Sequence, residues 1–257
     1  MPKPRKLLWI SDMVNSGYGI VSKTLCNSLV RKTDMQLYVL SINHNFVSHE
    51  EISKHQTEIS KLLGIQPDCV FAFPQPTEVV QLYGSENKEI HDYVLNTCMG
   101  VFCIKGIIQS LGLGKQDIIV SINDKHVLVK HINEINNFYQ GYKVKPRTIG
   151  YIPIDCCNFP YHFFKDLESF DEVWTMYENG KMEIIRTGFK TPIKVLEHAI
   201  SDNFYPITSK KQIYEYRISL FPSIPPNATI LINSNVDTPR KRIDLTIDIF
   251  HRVFLKN

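Results

Sequence analysis

The chain alternates short, uniformly apolar runs with longer segments whose apolar residues recur at helical spacing. Runs rich in Val, Ile, Leu and aromatic residues fall at 6–11, 36–42, 70–73, 117–122, 147–154, 172–175 and 193–196. Between them, residues 20–31 place Val21, Leu25, Leu29 and Val30 on one helical face, and residues 50–63 do the same with Ile52, Ile59, Leu62 and Leu63. Helices are also expected at 101–111, 126–138 and 178–187, the last with Gly188 as its stop signal. Residues 86–100 fit no pattern. Strands that are apolar on both faces and alternate with helices require a parallel sheet covered on each side. Right-handed crossovers make this an α/β, doubly wound, mostly parallel Rossmann-like sheet. In such sheets ligands bind beyond the carboxyl ends of the strands.

This pattern holds through about residue 200, the expected extent of a first domain. Residues 201–227 are polar, contain Pro206, Pro222, Pro225 and Pro226, and read as a linker. A new strand at 228–233 and an amphipathic helix at 240–254 would open a second domain.

Composition limits the function classes. Hydrophobic residues make up 43% of the 257, enough for a sizeable core, and the net charge of +3 gives no argument for a nucleic-acid partner. No apolar run reaches the roughly 18 residues of a membrane helix, so no transmembrane segment is expected. The basic start lacks the apolar stretch of a signal peptide. The six cysteines contain no C-x-x-C pair, which implies reduced thiols, a cytoplasmic location and a half-buried Cys156–Cys157 pair. The nine histidines show no ligand spacing, so no metal is expected.

The most informative turn is "WISDMVNSGYGIVSKTLCNSL", residues 9–29, where a strand breaks at Gly17-Tyr18-Gly19 before a helix. It is not G-x-G-x-x-G, and the second strand ends Ser41-Ile42-Asn43 without an acidic residue, which argues against a nicotinamide cofactor. It is not a P-loop either. Two readings stay open: a tight turn, or a backbone that lets an anion or sugar come close. Other strand ends carry Asn or Asp, at Asn43, Asn123-Asp124, Asp155 and Asn179. Such side chains suit a polyol ligand, but they also favour turns. Farther on, Arg240-Lys241-Arg242 opens the last helix, where cations oppose the helix dipole unless an anion binds or solvent screens them. Asp166, Glu168, Asp171 and Glu172 read as a solvated acidic loop, and Phe159, Tyr161, Phe163 and Phe164 as core packing in preference to a stacking platform.

Taken in order, several stretches resemble GT-B glycosyltransferases, especially the retaining family-4 group related to glycogen synthase. These are the glycine turn, "YIPID" at 151–155, "FDEVWTMYENGKMEIIRTGFKTPIKVLEHAISDNFYPI" at 170–207, and "NSNVDTPRKRIDLTIDIFHRV" at 233–253. Ala199 stands where the family usually has Gly after the His. The resemblance implies that residues 1–200 form the acceptor-side domain and that 228–257 begin the nucleotide-sugar domain. It implies hexosyl transfer from a nucleotide sugar to a hydroxyl of a sugar, lipid or protein, with retention and without a metal. The nucleotide sugar would be a donor substrate, and no further cofactor is implied.

By position, Gly17, Tyr18, Gly19, Arg240 and Lys241 would meet the donor phosphates, while Asn123, Asp124 and Asp155 would meet the acceptor. The family also often has a His near Asp124, where this chain has His126. The family's E-x7-E element is not reached by Asn257, and a full second domain would need roughly 150 residues. The chain alone is therefore expected to bind nucleotide sugar poorly. Two alternatives remain: a non-catalytic GT-B-like binding or assembly module lacking the donor site, and a Rossmann-like enzyme of other chemistry.

Overall fold

The computed structural model describes residues 4–43, 46, 48–74, 89, 93, 96–198, 206–225, 227–230 and 242–254. The chain divides into two compact units, Met1–Ser201 and Asp202–Asn257.

In the first unit the order is β1 (Lys6–Asp12), α1 (Gly17–Lys32), β2 (Gln36–Ile42), α2 (His49–Leu63), β3 (Val70–Phe71), α3 (Val101–Leu111), β4 (Ile118–Ile122), α4 (Lys125–Tyr139), β5 (Arg147–Tyr151), β6 (Glu172–Thr175), α5 (Glu178–Arg186) and β7 (Ile193–Val195). The strands form one seven-stranded sheet in the order β3-β2-β1-β4-β5-β6-β7. Every pairing is parallel; Leu7 lies against both Leu37 and Ile118. The order reverses between β1 and β4, so the loops leaving these two strands diverge and open a crevice between them.

Alternation along the strands builds both layers of the core. Leu7, Trp9, Leu37 and Val39 pack with Leu25 and Leu29 of α1 and Ile59 and Leu63 of α2. Leu8, Ile10, Leu40 and Ile42 face the other way, onto Ile104, Ile107 and Ile108 of α3 and Ile135 of α4. Burying one such side chain contributes about 1.5–3 kcal/mol. Local signals set the helix ends. Ser48 and Glu51 form a reciprocal capping box at the start of α2, and Gly64 closes that helix in the left-handed conformation.

The structure moves several sequence-based boundaries. The helix expected from residue 20 begins at Gly17, so the two glycines lie in its first turn rather than in a loop before it. The strand expected over 147–154 ends at Tyr151. The acidic residues divide: Asp166 and Asp171 are exposed, as a solvated loop would have them, but Glu172 is not. Glu172 is a buried β6 residue bridged to Arg147 and to Lys194, the latter at 3.3 Å, while Asp171 accepts from the Thr148 N–H at 2.8 Å. The aromatic group divides: Phe164 is in the core and Tyr161 is 69% exposed.

In the second unit, α6 (Lys210–Leu220) and α7 (Ile243–Phe254) are helical. The stretch read as a linker thus contains a helix, started by Ser209, whose side chain accepts from the Gln212 N–H. Its span fits between Pro206 and Pro222. Of the strand expected at 228–233, residues 228–230 are not extended in a sheet and the rest lie outside the described residues. Among the described residues no helix is long and apolar enough to cross a membrane.

Candidate functional site at the strand ends

At the end of β1, Asp12 is buried and shapes the turn that follows. Its Oδ1 accepts from the Val14 N–H at 2.8 Å, and its Oδ2 accepts from the Asn43 amide at 3.4 Å. Ser16 then caps α1, its hydroxyl accepting from the Gly19 N–H at 3.0 Å. A Cβ on Gly19 would lie 1.9 Å from the Val14 carbonyl oxygen, so the helix can start here only with glycine at that position. Gly17 differs: a Cβ there would have no neighbour within 4 Å. Packing of the turn therefore requires glycine at 19 but not at 17.

Tyr18 reaches across the crevice. Its hydroxyl donates to Asp124 Oδ1 at 2.6 Å, joining the start of α1 to the loop after β4. Burial first, then the bond to Asp124 and the charges of Asp124 and Asp155, push the Tyr18 pKa well up. The phenol stays protonated and acts as a donor at neutral pH. The structure thus brings Tyr18, Asp124 and Asp155 into one electrostatic neighbourhood at the strand-order reversal. Asn123 stands just behind them. It is 6% exposed, its Oδ1 accepts from the Asp124 N–H at 2.8 Å, and its own N–H donates to the Tyr151 carbonyl. Those contacts make it a positioning residue for Asp124.

His126 is exposed on the first turn of α4. The histidine that matters to the fold here is His131, fully buried, with Nδ1 2.7 Å from Ser121 Oγ and Nε2 2.8 Å from the Met99 carbonyl. Burial lowers its pKa to about 4. Its neutral ring ties residues 97–100 to β4.

Asp155 also forms one wall of an open cleft of about 420 Å³ beyond β5 and β6. Asp155, Cys156 and Cys157 line one side, Tyr177 and Asn179 at the start of α5 line another, and Met182 and Glu183 follow one turn along. The two thiols are exposed, not half-buried as expected, and they differ. Cys156 donates to Asp155 Oδ1 at 3.3 Å, whereas Cys157 Sγ accepts from the Asn158 amide at 3.6 Å. The Asp155 contact holds the Cys156 thiol above its usual pKa. All six cysteines are free. Glu183 is fixed by Arg186 at 2.9 Å and by the Asn158 N–H at 2.9 Å, and the guanidinium holds its carboxyl below the usual range. Sequence reasoning reached Asp155 and Asn179 because they end strands. It missed Glu183, which lies inside a helix, and Asp12, the last residue of a buried strand.

Arg240 and Lys241 lie outside the described residues. Their neighbour Arg242 pairs with Asp244 at 2.9 Å within the second unit.

No protein-family model matches the chain, and no curated protein matches it. Solved structures do. Medicago truncatula UGT71G1 complexed with UDP-glucose is similar with a TM-score of 0.50 at 9% identity, over 86% of this chain and 58% of that one. The chain shares the Rossmann-like fold of that GT-B protein. Phytolacca americana UGT2 complexed with UDP-2fluoro-glucose and pterostilbene has a TM-score of 0.48 at 12% identity, over 87% of this chain and 65% of that one. The chain spans less than two thirds of the length of either protein.

Proposed function

We propose that this chain is the acceptor-side part of a GT-B glycosyltransferase that moves a hexose from a nucleotide sugar to a hydroxyl. The observation that carries the reading is the Tyr18–Asp124 contact across the β1/β4 reversal, with Asp155 beside it. A carboxylate held by a neutral phenol at the mouth of the crevice is well suited to accept a hydrogen bond from an incoming hydroxyl. The fold shared with UGT71G1 supports the same reading.

In this reading Asp124 and Asp155 orient the acceptor, and Asn123 aims Asp124. The donor diphosphate approaches the start of α1 at Gly17 and Tyr18, where free N–H groups favour negative charge, with Gly19 shaping the turn. Arg240 and Lys241 neutralise the departing diphosphate, so no metal is required. Electrostatic stabilisation of that leaving group is the main catalytic contribution. The retaining, family-4 assignment follows from the sequence resemblance, and a cytoplasmic location from the cysteine pattern. The test is proton NMR of the glycoside made by the full-length protein from a nucleotide sugar. A product with the donor's anomeric configuration supports retention, and the opposite configuration removes the family-4 assignment while leaving transfer intact. No glycoside and no nucleotide release would favour a non-catalytic binding module.

A further inference from the structure

The cleft beyond β5 and β6 has a lining whose chemistry narrows the acceptor. Its walls carry two carboxylates, Asp155 and Glu183, one amide, Asn179, and two thiols, and among the described residues no Lys or Arg lines it. The Tyr177 hydroxyl donates to the Ile154 carbonyl, which fixes its ring at the cleft wall. At the same wall Tyr177 precedes α5 without giving it a side-chain cap, so first-turn N–H groups remain available as donors. Beneath that turn, Thr175 Oγ1 is buried and unpartnered among the described residues, 2.8 Å from where a Cβ on Gly180 would sit. Glycine at 180 lets the helix start press directly onto that hydroxyl.

Donors and acceptors are therefore interleaved around one fixed aromatic ring. A phosphate or carboxylate ligand would face Asp155 and Glu183, and the nearby Arg186 guanidinium is already paired with Glu183. A lipid tail would leave the polar wall unsatisfied. A hydroxyl both donates and accepts and so suits each group, and a pyranose ring offers an apolar face to the tyrosine. We infer that this cleft holds the acceptor, and that the acceptor is a neutral saccharide. The word acceptor rests on the glycosyltransferase reading; the saccharide site itself does not.

Cys157 on the cleft wall gives a direct probe. The rate of its alkylation by iodoacetamide is followed by mass spectrometry in the full-length protein, with glucose, N-acetylglucosamine, maltose and trehalose as neutral probes and glucose 6-phosphate as the charged one. At least one neutral sugar slows alkylation saturably, and glucose 6-phosphate at the same concentration does not. Asn179→Ala, at an exposed position, weakens that protection roughly tenfold, the loss of one hydrogen bond of about 1.4 kcal/mol, with an unchanged melting temperature. The inference is overturned if no neutral sugar protects, if glucose 6-phosphate protects equally, or if Asn179→Ala has no effect on protection. Protection without any sugar transfer would leave the site standing and remove the transferase reading. Transfer to non-sugar hydroxyls without protection would do the reverse.

Discussion

The Tyr18 hydroxyl lies 2.6 Å from Asp124 Oδ1 and so closes the gap between two helix starts separated by more than a hundred residues of chain. Nothing in the packing of the sheet requires that bond, because α1 and α4 are each seated by their own apolar faces. Its effect is to hold Asp124 in one orientation at the crevice.

Tyr18→Phe removes the donor and keeps the ring. The expected cost in stability is about 0.5–1.5 kcal/mol in urea denaturation. Asp124 then loses its restraint, so KM for the acceptor should rise with a smaller change in kcat. A variant with unchanged acceptor KM would show that the pair has no part in binding.

The two glycines of the first turn of α1 should respond oppositely to alanine. Gly19→Ala forces a Cβ into the Val14 carbonyl and is expected to cost about 1–3 kcal/mol or more. Gly17→Ala meets no atom and is expected to be neutral or stabilising by about 0.4–1 kcal/mol. If an anion approaches the helix start, Gly17→Ala should still weaken nucleotide-sugar binding in the full-length protein. Parallel thermal melts and calorimetric titrations check both halves.

The outline of the fold was legible because its strands are apolar on both faces and so cannot be mistaken for surface segments. Helix starts were less so. Glycine reads as a break, and the true start signal for α1 was Ser16, whose side chain reaches the Gly19 N–H. Glu172 sits among acidic neighbours in sequence, yet it is buried because β6 is covered on both faces, and Arg147, Lys194 and the Trp174 indole then compensate it. The crevice residues Tyr18, Asp124 and Asp155 were legible as strand-end positions. The hydrogen bond between the first two was not, since it depends on the strand order. Glu183 and Thr175 were hidden for another reason: one lies within an amphipathic helix and the other at the end of a buried strand, where sequence gives no sign of a nearby cleft.

His131 should give the protein an acid-sensitive step. Its folded pKa of about 4 is below that of an exposed histidine, near 6.5. The unfolded chain therefore binds the extra proton first. Stability from this group is fully present above about pH 6.5 and is lost as pH falls from there toward 4. Urea denaturation at pH 7 and at pH 5 should show the decline, and the His131 ring resonances should not titrate above pH 5. A ring titrating near 6.5 would mean that the Ser121 and Met99 contacts are not held in solution.

The most direct test is the rate of nucleotide release from a nucleotide sugar, with a hydroxyl acceptor present, by the full-length protein and by its Asp124→Ala variant. The account predicts acceptor-dependent release that falls at least about a hundredfold in the variant, with the fold kept, as expected when a group that orients the attacking hydroxyl is removed. Equal turnover in the two proteins would contradict the placement of the reaction at the β1/β4 crevice.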